Sequence, residues 1–371
     1  MNSDSLTATG SGVALSGGTA VPRVSVIVRS TARPTLARAL ESIGAQDYPD
    51  VEAVVVAASG PEHPPVRNRV GRHPFVFAAS PMHLSRPDAA NAGLDAATGD
   101  WITFLDDDDT LSPDHVSGLV AAARNAPEAL AVYTLARARF ADGRTETWGR
   151  PYALIQLYER NFIHLSTALF SRKLVERGCR FDPQFEIMQD WDFFLQIAQH
   201  THFHFEPRQT FDWHADAGAS GAGGGPNRDD ARFAEFRDMI YAKWAPAHDA
   251  LADAVTTKLQ AAQVRAQQRD LPGAEALVRE VLLQSPNDPF ALNMLAMLQR
   301  SQGRIADARR TLETAVAIRP DDPSFIFNLA LLCRAAGDAD GARSSCWRAL
   351  ELDPGFAPAR DLLAALAKPA S

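Results

Sequence analysis

Between Arg23 and Trp244, short apolar runs alternate with stretches of helical spacing. Val24-Ser25-Val26-Ile27-Val28 is rich in β-branched residues and reads as a strand covered on both faces. Pro34 to Ala45 follows with Leu36, Leu40 and Ile43 on one helical face. Val51 to Ala57 predicts a second strand and Phe75-Val76-Phe77 a third. Arg86 to Ala97 reads as a helix ended by Thr98-Gly99, and Trp101 to Leu105 as a fourth strand. This alternation predicts a parallel sheet with right-handed crossovers. Beyond Asp109 the pattern loosens. It predicts a helix over Asp114 to Arg124 with Pro113 at its start, and strands over Leu130 to Thr134 and Arg137 to Trp148, the latter a hairpin turning at Asp142-Gly143. A strand over Ser166 to Phe170 and a helix over Asp190 to Gln199 follow. Ala215 to Gly225 is a Gly/Ala-rich loop, a lid or a tether.

The last third changes period. Pro286, Pro320 and Pro354 are 34 residues apart, and so are Arg269, Gly303 and Gly337, and Ala274, Ala308 and Ala342. A 34-residue period of paired helices resembles tetratricopeptide repeats. Three units are predicted, over 253–286, 287–320 and 321–354, with Phe356 to Ala367 as a capping helix. Asp288, Asp321 and Asp322 sit at helix starts, where a carboxylate suits the dipole. The chain therefore divides into a tail over 1–21, an α/β domain over 22–246 and an all-α repeat domain over 247–371.

Composition adds exclusions. The 371 residues are 46% hydrophobic and 22% charged, as in a globular protein with a substantial core. The net charge of −8 gives no electrostatic footprint for nucleic acid. Cys179, Cys333 and Cys346 are too widely spaced for a metal motif or a disulfide framework, which fits a reducing compartment. The Ser/Thr/Gly/Ala-rich start lacks the basic and apolar regions of a signal peptide. No run approaches the apolar length of a membrane span. The expected location is cytoplasmic.

Candidate chemistry gathers at the fourth strand. Asp106-Asp107-Asp108-Asp109 directly follow its apolar run. Like charges repel and carboxylates resist desolvation, so the arrangement suits a hard divalent cation such as Mg²⁺ or Mn²⁺ bridging carboxylates to phosphates. The alternative is a solvated acidic turn that caps the next helix. In open α/β sheets, ligands bind beyond the carboxyl ends of the strands, where the four aspartates lie.

A set of motifs in order identifies the N-terminal domain more narrowly. They are Val24 to Ser30, Ala39-Leu40-Glu41-Ser42-Ile43, Gln46-Asp47-Tyr48-Pro49, Asn91-Ala92-Gly93-Leu94, Ala97-Thr98-Gly99-Asp100, Phe104 to Asp106 through Leu111-Ser112-Pro113, Phe181-Asp182 and Gln189-Asp190-Trp191-Asp192. Together they resemble family 2 glycosyltransferases of the GT-A fold, a Rossmann-like α/β domain with a mixed sheet. The resemblance covers about residues 22–215. It implies a nucleotide-sugar donor such as a UDP-sugar, with Mn²⁺ or Mg²⁺ on its diphosphate. Asp106 would lie near the ribose and the metal, and Asp108 would be the direct ligand. Asp107 is counted with the donor-binding residues; it and Asp109 are otherwise outer groups or helix caps. Asp190 matches the general base of inverting members, or else only caps its helix; Gln189 stands where the family usually has Glu. His214 is a third metal ligand or diphosphate contact, or a packed histidine. His164 reads as structural, as does Asp192. Arg29, Ser30 and Asn91 would line the nucleotide pocket, although Arg29 and Ser30 also suit a polar strand end.

Two departures matter. The aspartate that reads the base in many relatives is replaced, since the segment here is Ala57-Ala58-Ser59-Gly60. The Arg before the Asn-Ala-Gly motif is Ala90, and Arg86, one helical turn earlier, would supply the phosphate contact. The resemblance implies a metal-dependent inverting glycosyltransferase acting on a glycan, lipid-linked sugar or protein acceptor. Its repeats would recruit the acceptor or a partner protein, or mediate self-association. A non-catalytic nucleotide-binding scaffold is the alternative. A nucleotidyltransferase is disfavoured, because no Gly-rich phosphate loop with a following basic residue lies near the first strand.

Overall fold

The computed structural model describes residues 21–66, 70–215 and 229–367. The terminal tail and nearly all of the glycine-rich loop lie outside these residues. The chain divides into two compact units. One runs up to Gly149 and resumes over Phe162–Asp238; the other comprises Arg150–Asn161 and the chain from Met239 onward.

The strands are β1 (Val24–Ser30), β2 (Val51–Ala57), β3 (Phe75–Ala78), β4 (Trp101–Asp106), β5 (Thr110–Leu111), β6 (Ala131–Arg139), β7 (Thr145–Trp148), β8 (Ala168–Ser171) and β9 (Phe203–His214). The helices are α1 (Leu36–Gly44), α2 (Arg86–Ala96), α3 (His115–Asn125), α4 (Leu154–Glu159), α5 (Arg172–Glu176), α6 (Gln189–Ala198), α7 (Asp230–Gln267), α8 (Leu271–Gln284), α9 (Pro289–Ser301), α10 (Ile305–Ile318), α11 (Pro323–Ala335), α12 (Ala339–Leu352) and α13 (Ala357–Leu366).

All strands of the first unit join one sheet, ordered β3-β2-β1-β4-β8-β6-β9-β5, with β7 beside β6. The β3-β2-β1-β4 half is parallel, as the alternating pattern predicts, and its two central strands are almost entirely buried. The sheet turns antiparallel where β8 meets β4 and β6. Here the structure corrects the sequence reading. Leu130–Thr134 and Arg137–Trp148 are not two separate elements. One continuous strand, β6, pairs β8 through Ala131–Tyr133 and then β7 through Ala136–Arg139. The turn between β6 and β7 does fall at Asp142-Gly143, where Gly143 takes φ 86°. Strand β9 has no counterpart in the sequence reading. Its polar His204, Glu206 and Arg208 and the internal Pro207 hide its character, yet it brings Trp213 and His214 to the acidic cluster.

Two devices fix β4. Buried Glu52 accepts hydrogen bonds from Ser25 Oγ (2.6 Å), Thr98 N (2.8 Å) and Thr98 Oγ1 (2.7 Å), tying β1, β2 and the turn into β4. A Cβ on Gly99 would stand 2.7 Å from Ser25 N, so this turn requires glycine. Beneath the sheet, Phe104 of β4 meets Phe181 at 5.4 Å, and Phe181 stacks on Phe193 of α6 at 4.2 Å. These rings align the end of β4 with the start of α6, which carry Asp106 and Asp190.

In the second unit α8, α10 and α12 begin 34 residues apart, as do α9, α11 and α13. Ala274, Ala308 and Ala342 are fully buried where paired helices touch. The connecting turns place Arg269, Gly303 and Gly337 at φ 64°, 79° and 80°. A side chain resists this left-handed backbone, so the exposed Arg269 is the misfit. Arg269→Gly is expected to raise the unfolding free energy of the repeats by about 0.5–1 kcal/mol, net of glycine's looser unfolded chain. Urea denaturation checks this, and an unchanged or lower midpoint contradicts it. The α7 helix continues from Asp230 through Pro246 to Gln267, longer than the sequence pattern suggests.

Candidate active site

Asp106 ends β4 directly opposite Arg29 of β1, whose Nη2 donates to Asp106 Oδ1 at 2.5 Å. Asp107 is buried and accepts from Thr31 N at 3.0 Å, fixing the loop after β1. Asp108 faces Arg33 at 2.5 Å, and its carbonyl accepts from Arg38 Nη2 at 2.7 Å. Asp109 turns inward and accepts from His214 N at 2.8 Å, which docks β9. The four aspartates thus differ in duty: Asp106 and Asp108 face Arg29 and Arg33 closely, Asp107 shares Arg33 at 3.4 Å while holding the loop after β1, and Asp109 holds β9.

Their electrostatics diverge accordingly. Burial would raise the Asp106 carboxyl, but the Arg29 and Arg86 guanidiniums overcome it and hold the group at about 2. Burial pushes Asp107 up, and Asp109 up to about 7, where the neighbouring Asp106 and Asp108 charges add to it and the His214 hydrogen bond only partly offsets it. His164 lies within the field of Asp106; burial lowers it to about 4, so it is neutral at pH 7. Its Nδ1 accepts from Ser166 N at 3.2 Å, which leaves the ring proton on Nε2.

Asp190 sits in the first turn of α6, behind Met188 at φ 58°. A non-glycine residue in this conformation stores strain at the entrance to the site. Burial raises the Asp190 carboxyl above the ordinary range, while the Trp191 N–H and the Arg29 charge pull it back in part. Arg29 links the two carboxylate regions. With the Gln189 amide oriented to satisfy both neighbours, its oxygen accepts from Arg29 Nη1 at 3.1 Å, while Arg29 Nη2 holds Asp106. Asp192 is fully buried and accepts from Gln196 Nε2 at 2.8 Å, the structural role expected of it.

The remaining candidates separate. Arg86 is partly buried beside Asp106 and Asp108, and burial lowers its pKa. Among the described carboxylates none pairs with it, so its charge is open to an anion. Asn91, read as a donor contact, instead clamps the chain: its Nδ2 donates to Phe181 O at 2.8 Å and its Oδ1 accepts from Phe181 N at 3.0 Å. Ser30 is buried, with its Oγ bonded to His63 Nε2 at 2.8 Å and accepting from Ala32 N. Ala58 is closed off by hydrogen bonds with Ser30 and Leu84. Sequence reasoning missed Arg33 and Arg38; two cations just past β1, facing an acidic run past β4, were the available signal.

The donor set suits a hard cation in part. Asp106, ionised at neutral pH, and Asp108 supply oxygens two residues apart, and Mg²⁺ characteristically combines one or two carboxylates with phosphate oxygens and water. His214 does not complete a protein triad. Its Nδ1 lies 3.6 Å from Asp109, and among the described residues no three His, Cys, Asp or Glu side chains are grouped to hold a metal.

Residues 25–178 match the profile described as Glycosyl transferase family 2. The chain carries a family 2 glycosyl transferase domain. Residues 259–323 and 293–355 match the Tetratricopeptide repeat profile, so this domain is followed by tetratricopeptide repeats. The mixed α/β sheet and the all-α repeats are the two parts that the sequence predicts. The glycosyl transferase region is 30% identical over 189 residues to the succinoglycan biosynthesis protein ExoO of Rhizobium meliloti (strain 1021), covering 46% of this chain and 54% of that one. It is 29% identical over 204 residues to the uncharacterized protein y4gI of Sinorhizobium fredii (strain NBRC 101917 / NGR234), covering 50% of this chain but only 22% of that one. The matched region thus spans about half of the first of these relatives and about a fifth of the second. Among solved structures, S. aureus TarS 1-349 aligns over 87% of this chain and 90% of its own at 13% identity, with a TM-score of 0.44.

Proposed function

We propose that the chain transfers a sugar from a nucleotide-sugar donor to an acceptor hydroxyl, inverting the anomeric centre. The observation that carries this reading is the divergence of two neighbouring carboxylates. Asp106 is held ionised at about 2, while Asp190 is raised, with Arg29 between them. Carboxylates pushed apart by their surroundings take different roles in one reaction. Asp190 accepts the acceptor's proton, the freed oxygen bonds to the anomeric carbon, and the electron pair of the breaking C–O bond leaves with the nucleoside diphosphate. Asp106 and Asp108 would hold Mn²⁺ or Mg²⁺, which when bound supplies countercharge to that leaving group. Arg86 meets the diphosphate directly. Arg86→Ala is expected to weaken donor binding about tenfold, the worth of one charge-assisted contact; titration of the donor checks this, and unchanged affinity contradicts it.

The repeats recruit a partner or the acceptor. A groove of about 680 Å³ between α7 and α9, lined by Leu259, Phe290, Asn293, Met294 and Met297, supports that role. Among the described residues no helix is long and apolar enough to cross a membrane. The three cysteines are buried and unpaired, which suits the cytoplasm. The reading is tested by melting the full chain with a panel of nucleotide sugars, with and without Mn²⁺. Metal-dependent stabilisation by one donor class supports it, and none by any donor overturns it.

A further inference from the structure

An aromatic array leads away from the acidic cluster. Thr110 pairs Asp212, and His214 N bonds Asp109, so Trp213 lies at the end of the aspartate run. Its indole meets His164 at 5.5 Å on one side and Trp148 at 6.0 Å, edge to face, on the other. Strand register explains the pairing. Ala136 faces Trp148 on β7, and Ala138 faces Trp213 on β9, so two small residues of β6 leave room for the indoles to meet. Trp148 packs on Trp213 yet stays 41% exposed, among the large apolar side chains left open to solvent. On the same face of β7, two residues before it, Glu146 pairs with Arg144.

We propose that Trp148 and Trp213 form a carbohydrate-binding platform that holds a neutral oligosaccharide acceptor leading toward Asp106. The C–H face of a pyranose is apolar and carries slight positive charge, which the negative face of an indole attracts. The Arg144–Glu146 pair beside Trp148 suits the sugar's hydroxyls. Trp213 and Trp148, 6.0 Å apart, hold about one ring, and an acceptor of two or more rings has a second one left to run toward Asp106. The direction of the chain rests on the sugar-transfer reading; the platform itself does not.

The test presents neutral oligosaccharides and peptides on an array to the full chain and its variants. The wild type is expected to bind saccharides of two or more rings. Trp148→Ala is expected to weaken that binding about tenfold and Trp148→Phe to keep most of it. Trp148→Thr, which suits a strand, must repeat the loss, so that a folding defect in the alanine variant does not decide the result. Binding of peptides alone, no saccharide binding, or binding unchanged in both Trp148→Ala and Trp148→Thr overturns the proposal. Release of nucleoside diphosphate by the same wild-type preparation separates the two readings. Saccharide binding lost in the variants without any release sinks sugar transfer and leaves the platform; release without an effect at Trp148 does the reverse.

Discussion

Asp190→Asn is expected to lower kcat about a thousandfold while leaving donor affinity within a few-fold, because removing a general base costs about 10²–10⁴ in rate. The amide keeps the size of the carboxyl and cannot take the proton. Steady-state and binding measurements on one preparation separate the two effects, and an equal loss in both would make Asp190 a binding group. The pH profile carries the same information. Asp190 is raised by burial, and a base acts only when deprotonated. Activity is therefore present above its folded pKa and lost as pH falls through it, at a pH above the usual carboxylate range. The same shift means that the charged form costs stability at neutral pH. The asparagine variant should melt no lower than the wild type, which distinguishes a lost base from a damaged fold.

Asp108→Asn is expected to lower kcat/KM by about two orders of magnitude, since a cation supplies several kcal/mol of charge stabilisation to a departing diphosphate. The carboxylate faces Arg33 on one oxygen, so the amide would lose a metal ligand and would leave Arg33 with only its 3.4 Å pair to Asp107. Chelation isolates the first effect. With excess EDTA the wild type should fall to the level of the variant, and Mn²⁺ should restore the wild type alone. An EDTA-insensitive wild type would assign neutralisation of the diphosphate to Arg33, Arg38 and Arg86 instead.

What the sequence reveals follows from how local each signal is. The β1, β2 and β4 strands announce themselves because both faces are buried, so each is a continuous apolar run that Asp106 ends abruptly. The repeats are legible because a 34-residue period places alanines and positive-φ glycines in phase. Strand β9 is illegible: it is half-exposed, its polar residues obey no simple alternation, and Pro207 argues against a strand. Pro246 and a polar surface likewise conceal the length of α7. At the site, Asp106, Asp108 and Asp190 are legible as charges at element ends. The partners of Arg33, Arg38 and Asn91 are not, because each is set by a contact between segments distant in sequence. Asn91 shows the difference clearly, since its motif pointed to the donor while its amide clamps Phe181.

The proposed division of labour gives Asp106 and Asp108 the leaving group and Asp190 the acceptor. It is tested most directly by following nucleoside diphosphate release from a panel of nucleotide sugars in Mn²⁺, for the wild type and Asp190→Asn side by side, with donor stabilisation measured on both. One donor class is expected to stabilise both proteins, and only the wild type to turn it over. Equal turnover by the two proteins, or a wild type that no donor stabilises, would contradict it.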